Sequence, residues 1–522
     1  MTARQLIFDL HDKLIVDLFA GGGGMSVAME MAWGRSPDIA INHNDDALSM
    51  HRINHPQTRH FVADVFEVCP RGATQGRPVG WLHLSPDCTH HSQARGGQPR
   101  SARIRALAWV GPRWGGQVLP DNISLENVKQ FLKWGPLIAK RCRTTRRVMK
   151  LDGSIAAPGE RVPVQQQFLI PDPKREGETF RRFVRVLESL GYVADWRLLK
   201  AANLGGHTTR ERLFMIFSRT GQPIDWEEPT HFQRPGRGQH RWKPAADCID
   251  WSIPCPSIFE RARPLAEATL RRIARGIVRY VLESGDPFVV NMAHGGKVED
   301  IRHPISTIAT EKGGCRAVVV PTLIQIGYGE RAGQAPRSLD IQQPLGVAVA
   351  GGIKHALACA YLMQANGGFN TTPGHDLRAP MSTVTNTGSQ QQLVTCMLSA
   401  EYTEGAERVA AFLMRYYGEG GQWSDLRDPM TTVTTKDRMA LVTVTIKGTP
   451  WLIVDIGLRM LEPRELFRAQ DFPESYIIDR GHDGRRFSKS AQVRMVGNSV
   501  NPLMAVGFLR RNAPAMAVRG AA

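Results

Sequence analysis

Between Leu14 and Trp33 the chain runs from a short apolar segment, Leu14-Ile15-Val16-Asp17-Leu18-Phe19, through Gly21-Gly22-Gly23-Gly24 into helix-forming composition from Met25 to Trp33. A glycine-rich turn between strand and helix lets backbone approach a ligand closely and leaves the first helical amides free to bind it. The same alternation continues downstream. Ile39-Ala40-Ile41 precedes Asn42-His43-Asn44 and a helix expected from Asp45, while Phe61 to Val65 and Trp81 to Leu84 read as third and fourth strands. Glu178 to Leu190 reads as a helix, and Trp196 to Leu199 and Leu213 to Phe217 as further strands. Strands alternating with helices predict an α/β protein with a doubly wound, mostly parallel sheet. Ligands of such sheets bind outside the carboxyl ends of the strands, where the motif residues of this stretch stand.

A chain of 522 residues exceeds one ordinary core, and two or three domains are expected. Residues 1–230 carry the α/β pattern. After about 230 the composition changes; Ser257 to Glu283 reads as a helix, followed by a repeating region. Pro304-Ile305-Ser306-Thr307-Ile308, Pro380-Met381-Ser382-Thr383-Val384 and Pro429-Met430-Thr431-Thr432-Val433 share one pattern, with a degenerate copy from Pro344 to Val349. Thr and Val enrichment between Gly-rich gaps predicts a β-rich insertion over 231–450. Residues 451–522 regain α/β character, with a helix starting near Pro463 and an apolar helix after Gly497-Asn498-Ser499-Val500.

The 66 basic residues outnumber 49 acidic ones, for a net charge of +17, which favours a polyanionic partner and nucleic acid first. Two basic stretches read as surface loops: Ala94 to Leu125, with Trp109 and Trp114 interleaved, and Arg141 to Lys150. No apolar run approaches the roughly 18–20 residues of a membrane helix, and Met1 to Lys13 lacks the pattern of a secretory leader, so a soluble cytoplasmic protein is expected. The eight cysteines include no C-x-x-C pair, so neither a metal site nor a disulfide framework is expected.

Four short patterns carry chemistry: the glycine turn, Ser85-Pro86-Asp87-Cys88, Glu126-Asn127-Val128, and Arg210-Glu211-Arg212. Pro86 would stiffen the turn that carries the thiol. With Arg464-Glu465 through Phe472-Pro473, and Gln492 through Val500, they resemble in order the motifs of cytosine-C5 DNA methyltransferases. The resemblance covers roughly 1–220 and 452–522, and the whole is similar to orphan enzymes of phages and prophages. It implies the S-adenosylmethionine-dependent methyltransferase fold, with 231–450 in the place of the target-recognition domain. It also implies double-stranded DNA as partner, a monomer, and a bacterial or phage-infected cell.

By the same resemblance, Cys88 is the nucleophile for C6 of a flipped-out cytosine, Glu126 hydrogen-bonds N3 and the exocyclic amine, Arg212 contacts O2, and Arg210 supports the site. S-adenosyl-L-methionine would lie against Phe19, Gly21, Gly23, Asn42, Asp64 and Asn498. Ser92, Arg95, Arg100 and Asn127 would meet the substrate or DNA. The chain departs from the family pattern at several of these positions. Asn42 stands where an acidic residue usually grips the ribose, and Asp87 replaces the proline before the nucleophile. Thr89 and Thr208 replace glutamines. A carboxylate beside sulfur opposes thiolate formation. Two other readings stand beside it: a tRNA cytosine-C5 methyltransferase, since one branch of the resembled family acts on tRNA, and a catalytically impaired DNA-binding homologue, motivated by Asp87 and Asn42.

Overall fold

The computed structural model describes residues 13–87, 105–250 and 449–518 and, between 251 and 448, short stretches that are chiefly strands. Its first sheet has seven strands. They are β1 (Leu14–Leu18), β2 (Ile39–Asn42), β3 (Arg59–Val62), β4 (Val79–Leu84), β5 (Asn122–Asn127), β8 (Val193–Lys200) and β9 (Glu211–Ser218), in the order β3-β2-β1-β4-β5-β9-β8. The first five are parallel; β9 runs antiparallel to β5, and β8 antiparallel to β9. A small hairpin of β6 (Leu137–Ala139) and β7 (Leu169–Pro171) is inserted after β5.

Side chains alternate across a strand, so one sheet feeds two helical layers. Leu14, Val16 and Leu18 pack into a cluster with Trp114 of the helix Val110–Val118 and Phe183 of Glu178–Glu188. Ile15 faces the other way, into a cluster with Met25 and Trp33 of the helix Gly24–Trp33 and with Met504 and Phe508 of Leu503–Asn512. The C-terminal segment therefore completes the first domain's core. This parallel sheet with an antiparallel far edge, covered on both faces, is the methyltransferase fold expected from the sequence.

The expected strands are present with shifted limits. The third ends at Val62, not Val65, so Asp64 lies in the turn beyond it, where its Oδ1 accepts from the Phe66 amide at 3.0 Å. Residues 257–265 are bends and irregular backbone, with Ser257 bridged to Gly457, so the helix expected from Ser257 does not start there. A second, antiparallel sheet of eight strands spans Phe288 to Met460. Its last strand, Thr449–Met460, pairs with Gln391–Ser399 and with Thr443–Ile446 and crosses the expected boundary at 451. The return to the first domain falls after Met460, at the helix Pro463–Ala469. The four proline-led repeats lie outside the described residues. Among the described residues, no helix is long and apolar enough to cross a membrane.

Candidate active site

The strand order turns back at the β1–β4 gap, so the carboxyl ends of β1, β2, β4 and β5 form the crevice that doubly wound sheets use for ligands. At the end of β1 the chain turns at once: Phe19, Gly21 and Gly23 have φ of 63°, 54° and 92°. A side chain at Gly23 would collide with the Tyr476 hydroxyl, and one at Gly24 with the Val500 carbonyl. Tyr476 also donates to the Gly22 carbonyl at 2.8 Å. The glycines are thus needed on the protein side, where the C-terminal segment presses on the turn. A Cβ at Gly21 would meet only the Phe19 carbonyl at 3.6 Å, which leaves that side open to the crevice.

Asn42 closes β2 and is buried, its Oδ1 accepting from the Asn44 amide at 2.9 Å. Asn498, exposed, ends the helix Lys489–Asn498, whose Met495 packs against Gly22. Asp45 and Asp46 open the next helix, Asp45–Asn54, three and four residues past Asn42. Both are paired with Arg485, at 2.5 and 3.2 Å.

Beneath the glycine turn lies a buried polar chain. Asp17 points to the face opposite Leu18; it accepts from Ser26 Oγ at 2.7 Å, and Ser26 is 2.8 Å from His51 Nε2. His51 Nδ1 is in turn 2.8 Å from His60 Nε2. Burial raises Asp17 to about 7 and holds His51 well below the usual imidazole value. A neutral relay follows, with His60 donating to His51, His51 to Ser26 and Ser26 to Asp17.

At the end of β5, Glu126 and Asn127 are both buried. Because β9 is antiparallel to β5 with Glu126 opposite Phe214, its first residues reach the carboxyl edge of β5. Arg212, two residues before Phe214, shares the Glu126 face. Its Nε lies 3.2 Å from Glu126 Oε1, and Arg210 Nη2 lies 3.9 Å from the same oxygen. The period of two in Arg210-Glu211-Arg212 thus aims both guanidinium groups at one carboxylate. Arg210 also donates to the Gly497 carbonyl at 3.2 Å, which ties this edge to the segment bearing Asn498.

Asn127, expected to meet the substrate or DNA, is buried here: its amide donates to the Pro86 carbonyl at 3.1 Å, while its Oδ1 accepts from the Val128 amide at 2.9 Å. Below it, His83 bridges Ser124 Oγ (2.8 Å) and Ser85 Oγ (2.7 Å), and burial pushes this imidazole down to about 3, so it stays neutral. Two side chains from the strand floor therefore fix Ser85-Pro86 beside Glu126. Cys88, Ser92, Arg95 and Arg100 lie outside the described residues.

Residues 172–248, which include Arg210 and Arg212, match the family model of C-5 cytosine-specific DNA methylases. In this stretch the chain is similar to cytosine-C5 methyltransferases. Over 227 residues it is 23% identical to type II methyltransferase M.AquIA of a Picosynechococcus strain, a match covering 42% of this chain and 77% of that protein. Over 243 residues it is 26% identical to Arabidopsis thaliana DNA (cytosine-5)-methyltransferase 3, covering 42% of this chain and 16% of that protein. The solved Dnmt2 methyltransferase of S. pombe aligns over 97% of this chain and 99% of its own, with 14% identity and a TM-score of 0.45. The methyl donor that this similarity implies is S-adenosyl-L-methionine. The open side of the glycine turn at Gly21 fits such a donor, with Asn42 at the neighbouring strand end as a neutral hydrogen-bonding group.

Proposed function

We propose that this protein methylates C5 of a cytosine extruded from duplex DNA, by way of a transient bond between Cys88 and C6. The observation that carries the reading is the hydrogen bond from Asn127 to the Pro86 carbonyl, which fixes the chain two residues before Cys88 beside Glu126 and its two arginines.

The cytosine ring is aromatic and electron-poor, so C5 does not attack a methyl donor unaided. Addition of the Cys88 thiolate to C6 breaks the aromaticity and makes C5 enamine-like. Negative charge then develops toward N3 and O2. Glu126 hydrogen-bonds N3 and the exocyclic amine, and Arg212 stabilises O2 while Arg210 holds the group in register. S-adenosyl-L-methionine supplies the electrophilic methyl group. Loss of the C5 proton to a base, water being sufficient, then expels Cys88 and restores the ring. Since C5 and C6 are stacked inside a duplex, the base must leave the helix. Phe19, Gly21, Gly23, Asn42, Asp64 and Asn498 would line the donor site, and Ser92, Arg95 and Arg100 would meet DNA.

Duplex DNA is favoured over tRNA by the net charge of +17, by the 231–450 insertion in the place of a target-recognition domain, and by the names of the two curated relatives. The test is transfer of labelled methyl to duplex DNA and to tRNA, with Cys88→Ala as control. Transfer to DNA that the variant abolishes is expected. Transfer to tRNA alone, or none to either, overturns the proposal.

A further inference from the structure

The insertion between β5 and the helix Glu178–Glu188 is not needed to build the site, yet it is ordered and strongly basic. It is a β finger rather than a loop. Beyond the β6–β7 pairing, Arg141 bridges Val148, Met149 bridges Ile155 and Lys150 bridges Gln167, all antiparallel. Its tip is a tight turn in which Cys142 N donates to the Arg147 carbonyl at 2.8 Å, and Arg146, with φ of 60°, donates its amide to the Cys142 carbonyl at 3.0 Å. From 140 to 150 the finger carries Lys140, Arg141, Arg143, Arg146, Arg147 and Lys150 with no acidic residue among them. Lys150 is paired with Glu160 at 2.6 Å. Among the described residues, Arg141, Arg143, Arg146 and Arg147 make no ion pair, and Arg141, Arg143 and Arg146 are exposed. Like charges crowded on a stiff hairpin repel one another, and among the described residues no carboxylate pairs with these four arginines.

The base of the finger belongs to the catalytic edge. Nine residues separate Asn127 from Leu137, and in that span Phe131 and Trp134 are buried in the first domain's core. The Asp172 amide donates to the Pro136 carbonyl at 3.0 Å and closes the finger's neck. Arg105, just beyond the segment that starts at Cys88, donates to the Gly135 carbonyl at 2.5 Å. Both flanks of that segment are thus tied to one strip of the molecule, Pro86 to Asn127 and Arg105 to the neck.

From these observations we infer that the finger 137–171 is a backbone clamp for duplex DNA, its tip arginines gripping phosphates beside the site where the cytosine is extruded. The inference rests on the DNA-methylation reading. Phosphate contacts hold register without reading bases, so the clamp should govern affinity and salt dependence and leave the recognised sequence alone.

The test is the triple variant Arg143→Ala/Arg146→Ala/Arg147→Ala of the full chain, with the Arg→Lys triple beside it and thermal melting to confirm folding. Each lost phosphate contact lowers the slope of log Kobs against log salt by about 0.9, so the Ala triple should lose about 2.7 and the Lys triple little. At about 0.15 M salt the Ala triple should raise KM for DNA at least tenfold, with kcat at saturating DNA within twofold and the same methylated sequence by bisulfite reading. An unchanged slope and KM in an enzyme that still methylates DNA overturns the clamp and leaves the catalytic proposal standing; a finger that docks a protein through Ile138, Leu151 and Val164 would give that result. Duplex binding whose slope falls in the Ala triple supports the clamp even if no methyl transfer is detected, a result that would count against the catalytic proposal alone.

Discussion

Replacing Asn127 by Asp isolates the contact on which the active-site reading depends. The wild-type amide has two jobs: Nδ2 donates to the Pro86 carbonyl and Oδ1 accepts from the Val128 amide. Aspartate keeps the acceptor, so the turn into Val128 survives, but it loses the donor and sets an oxygen against the Pro86 carbonyl. A buried carbonyl left without its donor costs about 1–3 kcal/mol. If that energy serves to keep the Pro86 turn in place for attack, kcat falls by roughly 5- to 150-fold, with KM for DNA changed far less. Single-turnover methyl transfer at saturating DNA is the assay, since it reads the chemical step without product release. Asn127→Ala should show a similar loss without the added repulsion, and so sit at the milder end. A folded Asn127→Asp protein with single-turnover rate within twofold of wild type would refute the claim that this contact positions the nucleophile's turn.

Two further outcomes follow from buried charges. Asp17 has a native value of about 7 against an ordinary 3.8, so its contribution to stability is complete below about pH 4 and is lost as pH rises through 7. That shift corresponds to on the order of 4 kcal/mol, so Asp17→Asn should gain relative to wild type between pH 5 and pH 8 in thermal melts; a difference independent of pH would contradict this. Glu465 accepts both nitrogens of buried Arg459, at 2.9 and 2.8 Å, as well as the Asp250 and Glu462 amides. Glu465→Ala strands a buried guanidinium where the second sheet meets the helix Pro463–Ala469 and should cost about 3–5 kcal/mol in urea unfolding, whereas a loss under 1 kcal/mol would mean Arg459 finds another partner.

The parts of this fold that were readable in the sequence are those dictated by local pattern. Leu14 to Phe19 and Gly21 to Gly24 announce their turn because strand, glycine and helix follow one another directly. Arg210 and Arg212 share a face because strand geometry repeats every two residues. What escaped notice was set at long range. Val79 belongs to β4, but Gly80 interrupts the apolar run; the end of the Met516 side chain packs over that glycine. The role of Asn127 depends on a carbonyl 41 residues away, and Asp17 inside an apolar strand makes sense only with Ser26 and His51 in view. The basic stretch at 141–150 looked like a solvated loop, because its short strands carry too many polar residues for alternation to be visible. The helix expected from Ser257 does not begin there, where Pro256 and Pro264 flank irregular backbone and Ser257 is drawn into a bridge with Gly457, although Leu270, Ile273, Ala274 and Ile277 further along are helical.

The most direct measurement uses duplex DNA with 5-fluorocytosine in place of the target base. Fluorine cannot leave C5 as a proton does, so after methyl transfer the enzyme should remain bound to the ring. The account predicts a denaturation-resistant protein–DNA adduct that requires S-adenosyl-L-methionine, maps by mass spectrometry to Cys88, and is absent in Cys88→Ala. Methylation of ordinary DNA without such an adduct, or an adduct on any other residue, would contradict it.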